Sequence, residues 1–200
     1  MDYHRKTLRA YFIFTAILGL FPASTVFATA QYSYGRTFNY SIGSPTEKIW
    51  TVGEIFVPKS GKLLDVDIAI NITHTSICDL QIFLTSPGGT TAILNKYDVY
   101  DFKTSQQDYN WTVFDDQAGT SIRDAKAPFT GLCRPKNDGT LSIFNGQNPY
   151  GIWQVKIYDW VYGDVGVFVD GRLDLLINPE PSTIALLIGC IAFARVIYRK

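Results

Sequence analysis

Few side chains in this chain could do chemistry. It holds two histidines, and His4 belongs to a basic N-terminal segment. His74 stands at the end of an alternating run, between Thr73 and Thr75. As a general base it would need a nucleophile and an orienting acid. No G-x-S-x-G elbow offers that nucleophile, and a histidine hydrogen-bonded at a strand end explains it more simply. Zinc would need paired His or Cys spacing, which the sequence lacks. Asp79, Asp115 and Asp116 each fall at a strand-to-loop junction. Hard oxygen ligands gathered from loops suit calcium. The competing reading is solvated turn aspartates, since Asp is common in turns and no EF-hand spacing is present. A glycosidase carboxylate pair would need a sugar cleft lined by aromatics, and aromatics in strands more often build a core. A hydrolase working through His74, Asp115 and Asp116 stays as an alternative. Cys78 and Cys133 sit at loop positions, and a bridge between them is chemically allowed in an exported domain. Their distance in space is not set by the sequence.

The elements that must position these residues read as short strands. Leu63 to His74 alternates most clearly, with Leu64, Val66, Ile68, Ile70 and Ile72 on one face and Asp65, Asp67, Ala69, Asn71 and Thr73 on the other. A one-residue slip would bury the aspartates, so the register is fixed. Ile49 to Val57, Leu80 to Thr85, Thr90 to Asn95 and Trp111 to Phe114 add strands. Leu141 to Phe144 reads as a helical turn or a short strand. Gly119 to Lys136 has no clear period and reads as loop, and so does the polar 97–109 segment. From Asn145 onward a turn, a strand with Trp153, Val155 and Ile157 on one face, the Gly163-Asp164-Val165-Gly166 reversal and a second strand read as a hairpin. No amphipathic helix is evident in residues 31–178. Seven or eight short strands between Gly/Pro/Asn/Asp turns predict an all-β sandwich.

The net charge of zero hides a division. Residues 31–178 carry 12 Lys and Arg against 16 Asp and Glu, while both ends are basic. Basic ends around a mildly acidic middle point to membrane-oriented termini, and no basic patch interleaved with aromatics suggests nucleic acid. Residues 1–30 read as a signal peptide: a basic start, the apolar run Ala10 to Phe21, and the A-x-A site Ala28-Thr29-Ala30, with cleavage expected after Ala30. At the other end Pro179-Glu180-Pro181 precludes regular structure. The apolar run from Ile184 then reads as a hydrophobic helix that ends on Arg195, Arg199 and Lys200, basic side inward. The chain divides into 1–30 signal peptide, 31–48 irregular lead-in or edge strand, 49–177 sandwich and 178–200 membrane segment.

Several blocks in order resemble the P domain (P/Homo B) of subtilisin/kexin-type proprotein convertases. They are D-V-D-I-A-I-N-I-T-H-T (65–75), D-L-Q-I-F-L-T-S-P-G-G-T (79–90), F-D-D-Q-A (114–118), P-F-T-G-L-C-R-P (128–135), L-S-I-F-N-G-Q-N-P-Y-G-I-W (141–153) and Y-G-D-V-G (162–166). The resemblance implies a jelly-roll-like β-sandwich that accompanies a protease domain. Residues 31–48 are too few for a subtilisin fold, so proteolysis is not expected to carry over. Some P domains bind calcium at loop aspartates, which supports Asp79, Asp115 and Asp116. Two departures stand out. Gly171 occupies a position where the family usually has Trp, which puts packing at that edge in question. Cys78 and Cys133 replace a usual Gly and Tyr.

The tail P-E-P-S-T-I-A-L-L, followed by an apolar segment and a basic end, resembles the PEP-CTERM sorting signal of Gram-negative bacteria. That resemblance implies handling by an exosortase through Pro179, Glu180, Pro181, Arg195, Arg199 and Lys200. It also implies a passing inner-membrane intermediate and delivery to the cell surface or extracellular matrix. Together these readings predict an exported, non-catalytic surface module that binds extracellular polysaccharide or surface proteins. The alternative is an accessory domain that assists a separate secreted protease in trans.

Overall fold

The computed structural model describes residues 29–43, 47, 49–97, 107–136 and 140–179. The expected signal peptide, apart from its last residues, and the membrane segment beyond Pro179 lie outside them. Among the described residues no helix is long and apolar enough to cross a membrane. Nine strands follow in order: β1 (Ala30–Ile42), β2 (Trp50–Val57), β3 (Lys62–His74), β4 (Leu80–Thr85), β5 (Thr91–Asn95), β6 (Tyr109–Phe114), β7 (Phe129–Cys133), β8 (Gly151–Asp159) and β9 (Gly166–Asn178). Two 3-10 turns, Ile77–Asp79 and Leu141–Phe144, are the only helical pieces described.

The strands form two sheets, ordered β1-β9-β3-β6-β7 and β2-β8-β4-β5. They stack as a β-sandwich, as the strand pattern predicted, of the jelly-roll-like form that the resemblance implied. Every pairing is antiparallel except β6 with β7. β3 and β9 form the spine of the larger sheet over twelve paired positions, from Lys62↔Asn178 to His74↔Gly166. Inward residues alternate as strand geometry requires. Val66, Ile68, Ile70 and Ile72 from β3 meet Ile55 and Val57 from β2, Ile82 and Leu84 from β4, and Trp153, Val155 and Ile157 from β8. Each such side chain, fully buried, contributes roughly 1.5–3 kcal/mol. The buried Trp153 indole donates from Nε1 to the Pro149 carbonyl at 2.9 Å, so its one polar atom is satisfied.

The structure corrects the sequence reading at several points. Leu63, not Leu64, enters the core, because a register shift between Leu63 and Asp65 rotates the start of β3. A β-bulge places one extra residue against the partner strand, which alternation alone does not reveal. Of the two readings of 31–48, the edge strand holds over its first part in place of the irregular lead-in: β1 pairs along β9, with one register shift between Thr37 and Tyr40. Phe129–Cys133 within the expected loop is strand β7, recruited by parallel pairing to β6. β8 and β9 are not a hairpin, since they lie in different sheets and residues 160–165 cross between layers. Where the family usually has Trp, Gly171 leaves room that Phe38 and Phe168 fill, with ring centroids 4.5 Å apart. Phe38 lies within the register shift of β1 between Thr37 and Tyr40, where Asn39 takes φ 54°.

Candidate functional site

Polar residues gather at the end of the sandwich where β3, β8 and the 160–165 crossover meet. His74 ends β3, and its side chain is fully buried. Its Nδ1 lies 2.8 Å from the Ser76 carbonyl. Its Nε2 lies 3.4 Å from Asp159 Oδ2, at the end of β8. That contact falls short of a hydrogen bond and leaves both atoms without another partner; it becomes an ion pair when the ring is protonated. Asp159 Oδ1 accepts from the Val161 N–H at 3.0 Å. The His74 N–H donates to Asp108 Oδ1 at 2.9 Å. Thr75 Oγ1 donates to Asp164 Oδ1 at 2.7 Å and accepts from the Val165 N–H. Gly43, at φ +77°, passes so close that a Cβ there would stand 2.5 Å from Asp159 Oδ2. Only a residue without a side chain fits both that φ and that space.

Asp79 lies in the same end group. The Asp79 carbonyl accepts from the Trp160 N–H at 3.0 Å. Burial pushes its carboxyl above the ordinary aspartate value; a hydrogen bond with Asp164 and the charges of Asp164 and Asp159 add to that, while a hydrogen bond with Ser76 opposes it. Two carboxylates that share a hydrogen bond favour one bound proton between them.

Asp115 and Asp116 are elsewhere. They follow β6, whose Phe114 pairs with Ile68 in the middle of β3, whereas Asp79 follows the far end of β3. Six residues of strand separate Ile68 from His74, about 20 Å at roughly 3.3 Å each. Asp115 Oδ1 accepts from the Gln117 N–H at 2.6 Å. Asp116 accepts from the Leu141 and Ser142 N–H groups at 2.9 and 2.8 Å, which caps the second 3-10 turn. A calcium ion held jointly by Asp79, Asp115 and Asp116 does not fit this arrangement. Among the described residues no group of three or more His, Cys, Asp or Glu is spaced to hold a metal ion. The carboxylate that does stand beside Asp115 is Asp67, paired across the sheet with Asp174. Burial and then the charges of Asp115, Asp65, Asp174 and Asp116 push Asp67 up to about 7. Its Oδ1 is buried without a hydrogen-bond partner.

Cys78 and Cys133 are thiols in this structure rather than a bridge. Both lie near the Tyr109 hydroxyl, whose pKa is raised by burial first and by their charges second. Cys133 is buried, and burial also raises its thiol above the usual value. Such a thiol is a poor nucleophile, because the thiolate is the reactive form.

Two surface features were not anticipated. A cleft of about 530 Å³ opens between the edge strands β1 and β2, lined by Tyr34, Arg36, Glu54, Ile55, Phe56 and Ile152 among others. By strand parity Arg36 falls on the inner face of β1, between Tyr34 and Phe38. It donates to the Glu54 carbonyl at 3.3 Å. A cation in that row leaves the rim of the core open. The outer face of the smaller sheet is aromatic. Trp50 stands 4.8 Å from Tyr158 and 5.8 Å from Phe83; Trp160 stands 4.9 Å from Tyr158 and stacks on Tyr97 at 5.7 Å. The alternation in β2 and β8 could have shown this face, because Trp50, Phe56, Ile152 and Tyr158 all take outward positions.

These features define a β-sandwich module whose polar end group ties strands together. The chain belongs to the proprotein convertase P-domain family: residues 63–175, more than half of its length, match that family. The P domain is a non-catalytic accessory domain of proprotein convertases. Among solved structures, the serine protease of Aeromonas sobria is similar at 17% identity and a TM-score of 0.46, over 75% of this chain and 27% of that one. The same protease in complex with the chaperone ORF2 gives 16% identity and a TM-score of 0.46, over 76% and 28%. This chain thus spans little more than a quarter of either protein. No curated protein matches it in sequence.

Proposed function

We propose that this protein is an exported, non-catalytic binding module of the cell surface or extracellular matrix. In this reading an exosortase sorts and processes it at the Pro179-Glu180-Pro181 tail, after a passing stay in the inner membrane. The observation that carries the non-catalytic part is the use made of His74. Its ring is enclosed by Asp159 and the Ser76 carbonyl, with no side chain exposed to a substrate. A general base must reach the proton it removes, and this one cannot without unfolding the strand end. The sorting part rests on the tail's resemblance to PEP-CTERM signals and on the basic n-region before Ala28-Thr29-Ala30.

A second reading is favoured by the family itself: the module assists a separate secreted subtilisin-like protease in trans. Envelope fractionation with affinity capture of the tagged chain separates the two. Recovery at the surface, shortened at the tail in an exosortase-dependent way and without a protease, is the expected result. A co-purifying subtilase would replace the first reading with the second. Full-length chain confined to the cytosol would end both.

A further inference from the structure

We infer that the cleft between β1 and β2, with the aromatic face beside it, binds a strand of neutral polysaccharide. This rests on the binding-module reading above and gives it a site and a ligand class. Sugar rings have apolar C–H faces and a rim of hydroxyls, so their receptors pair exposed aromatic faces with hydrogen-bonding groups of both kinds. The cleft offers that mixture. Phe56 and Tyr150, both more than half exposed, meet edge to face at 5.8 Å on its lip beside Ile152. Leaving such rings in water is unfavourable, and clustered exposed apolar surface marks an interaction site. Arg36 supplies guanidinium donors at the rim, and Glu54 supplies carboxylate acceptors. The volume lies within the range of roughly 300–1,000 Å³ typical of small-ligand sites, which suits a short run of sugars.

The face continues beyond the cleft. Strand β2 carries Phe56 at one end and Trp50 at the other, six residues or about 20 Å apart. Trp50 pairs with Tyr158 and Phe56 with Ile152, so the aromatic stations sit at the two ends of one sheet face. Between them Gln154 donates to Glu54 Oε1 at 2.9 Å, beside Lys156 on the same strand. A rigid row of ring, polar patch and ring matches an extended polymer better than a single small molecule. The charge argument selects a neutral one: on the outer face of β2 and β8 the charges of Glu54 and Lys156 offset each other. The acidic residues concentrate instead on the other sheet, where Asp65, Asp67, Asp170 and Asp174 would repel anionic surfaces. A membrane surface would call for a cluster of Lys and Arg at the aromatic rim, and β2 and β8 carry Lys156 alone.

The test is calorimetric titration of the full chain in detergent with cellohexaose, laminarihexaose and mannohexaose. At least one should bind with a dissociation constant of about 0.1–1 mM. The Phe56→Ala/Tyr150→Ala and Trp50→Ala variants should each weaken that binding at least about tenfold and leave the far-ultraviolet circular dichroism of the folded chain unchanged, because these side chains lie outside the core. Two results overturn the inference: no binding of any hexaose at 10 mM, or binding that the variants leave intact. If the hexaoses fail but the chain still captures a protein partner through Phe56 and Trp50, the glycan assignment falls and the binding-module reading survives. If surface recovery fails as well, both fall.

Discussion

Asp67→Asn should stabilise this protein at pH 8, although it removes a charge from a mostly soluble-looking sheet face. Asp67 Oδ1 is buried without a donor, and four carboxylates surround it. Its pKa is pushed from 3.8 to about 7, burial first and the charges of Asp115, Asp65, Asp174 and Asp116 after it. The folded protein therefore holds this proton more tightly than the unfolded chain. Between about pH 4 and 7 the folded state binds more protons than the unfolded one, so stability falls as pH rises through that window and levels off above it. A shift of about three units is worth at most about 4 kcal/mol at 1.36 kcal/mol each. The side chain is only half buried and its neighbours are partly in water, so screening reduces this to about 1–2 kcal/mol. Asparagine carries no charge to desolvate and should recover that amount at pH 8. At about 2–4 °C per kcal/mol for a domain of this size, the midpoint should rise by about 2–8 °C. Urea unfolding of both proteins from pH 4 to 8 gives the difference curve, which cancels the other carboxylates. It should be near zero at pH 4 and grow in favour of the variant up to pH 7. A flat difference, or a variant less stable at pH 8, would refute the reasoning.

Removing one partner of the polar end group should be costly. Asp159→Ala removes the acceptor of the Val161 N–H and leaves a gap beside His74 Nε2, so a loss of about 1–3 kcal/mol is expected in urea melts. A loss below 1 kcal/mol would show that the contact matters little. Gly171→Trp restores the residue usual in the family but drives it into Phe38, since even a Cβ there lies 3.1 Å from Cε2. It should destabilise by about 1–3 kcal/mol, and Phe38→Ala/Gly171→Trp should be more stable than the sum of its parts by at least about 1 kcal/mol. Cys133, buried with its pKa raised, should react with a thiol reagent at pH 8 only on unfolding; labelling of a Cys78→Ser/Cys190→Ser chain checks this. Rapid reaction in the folded protein would count against the packing around β7.

The sequence alone determined the sandwich, and for a definite reason. Alternation of the kind seen from Val66 to Ile72 and from Trp153 to Ile157 commits one face to the interior wherever the strand goes. Turn residues mark where strands stop, and the blocks from Asp65 to Gly166 carry the family likeness. Which chain segments become neighbours was settled by folding. Asp79 looks like a partner of Asp115 and Asp116 when strand ends are counted along the chain. Sheet order instead places it beside Asp159 and Asp164 and leaves the other two beside Asp67. Strand β7 has no period of its own and exists because β6 offers it an edge to pair with. Phe38 stands in for the usual Trp because β1 pairs with β9 and carries its inner face over Gly171 and Phe168. The cleft at Arg36 exists because two edge strands from different sheets lie side by side. In each case the energy comes from pairing and burial between distant segments, and local sequence carries no record of which distant segment that will be.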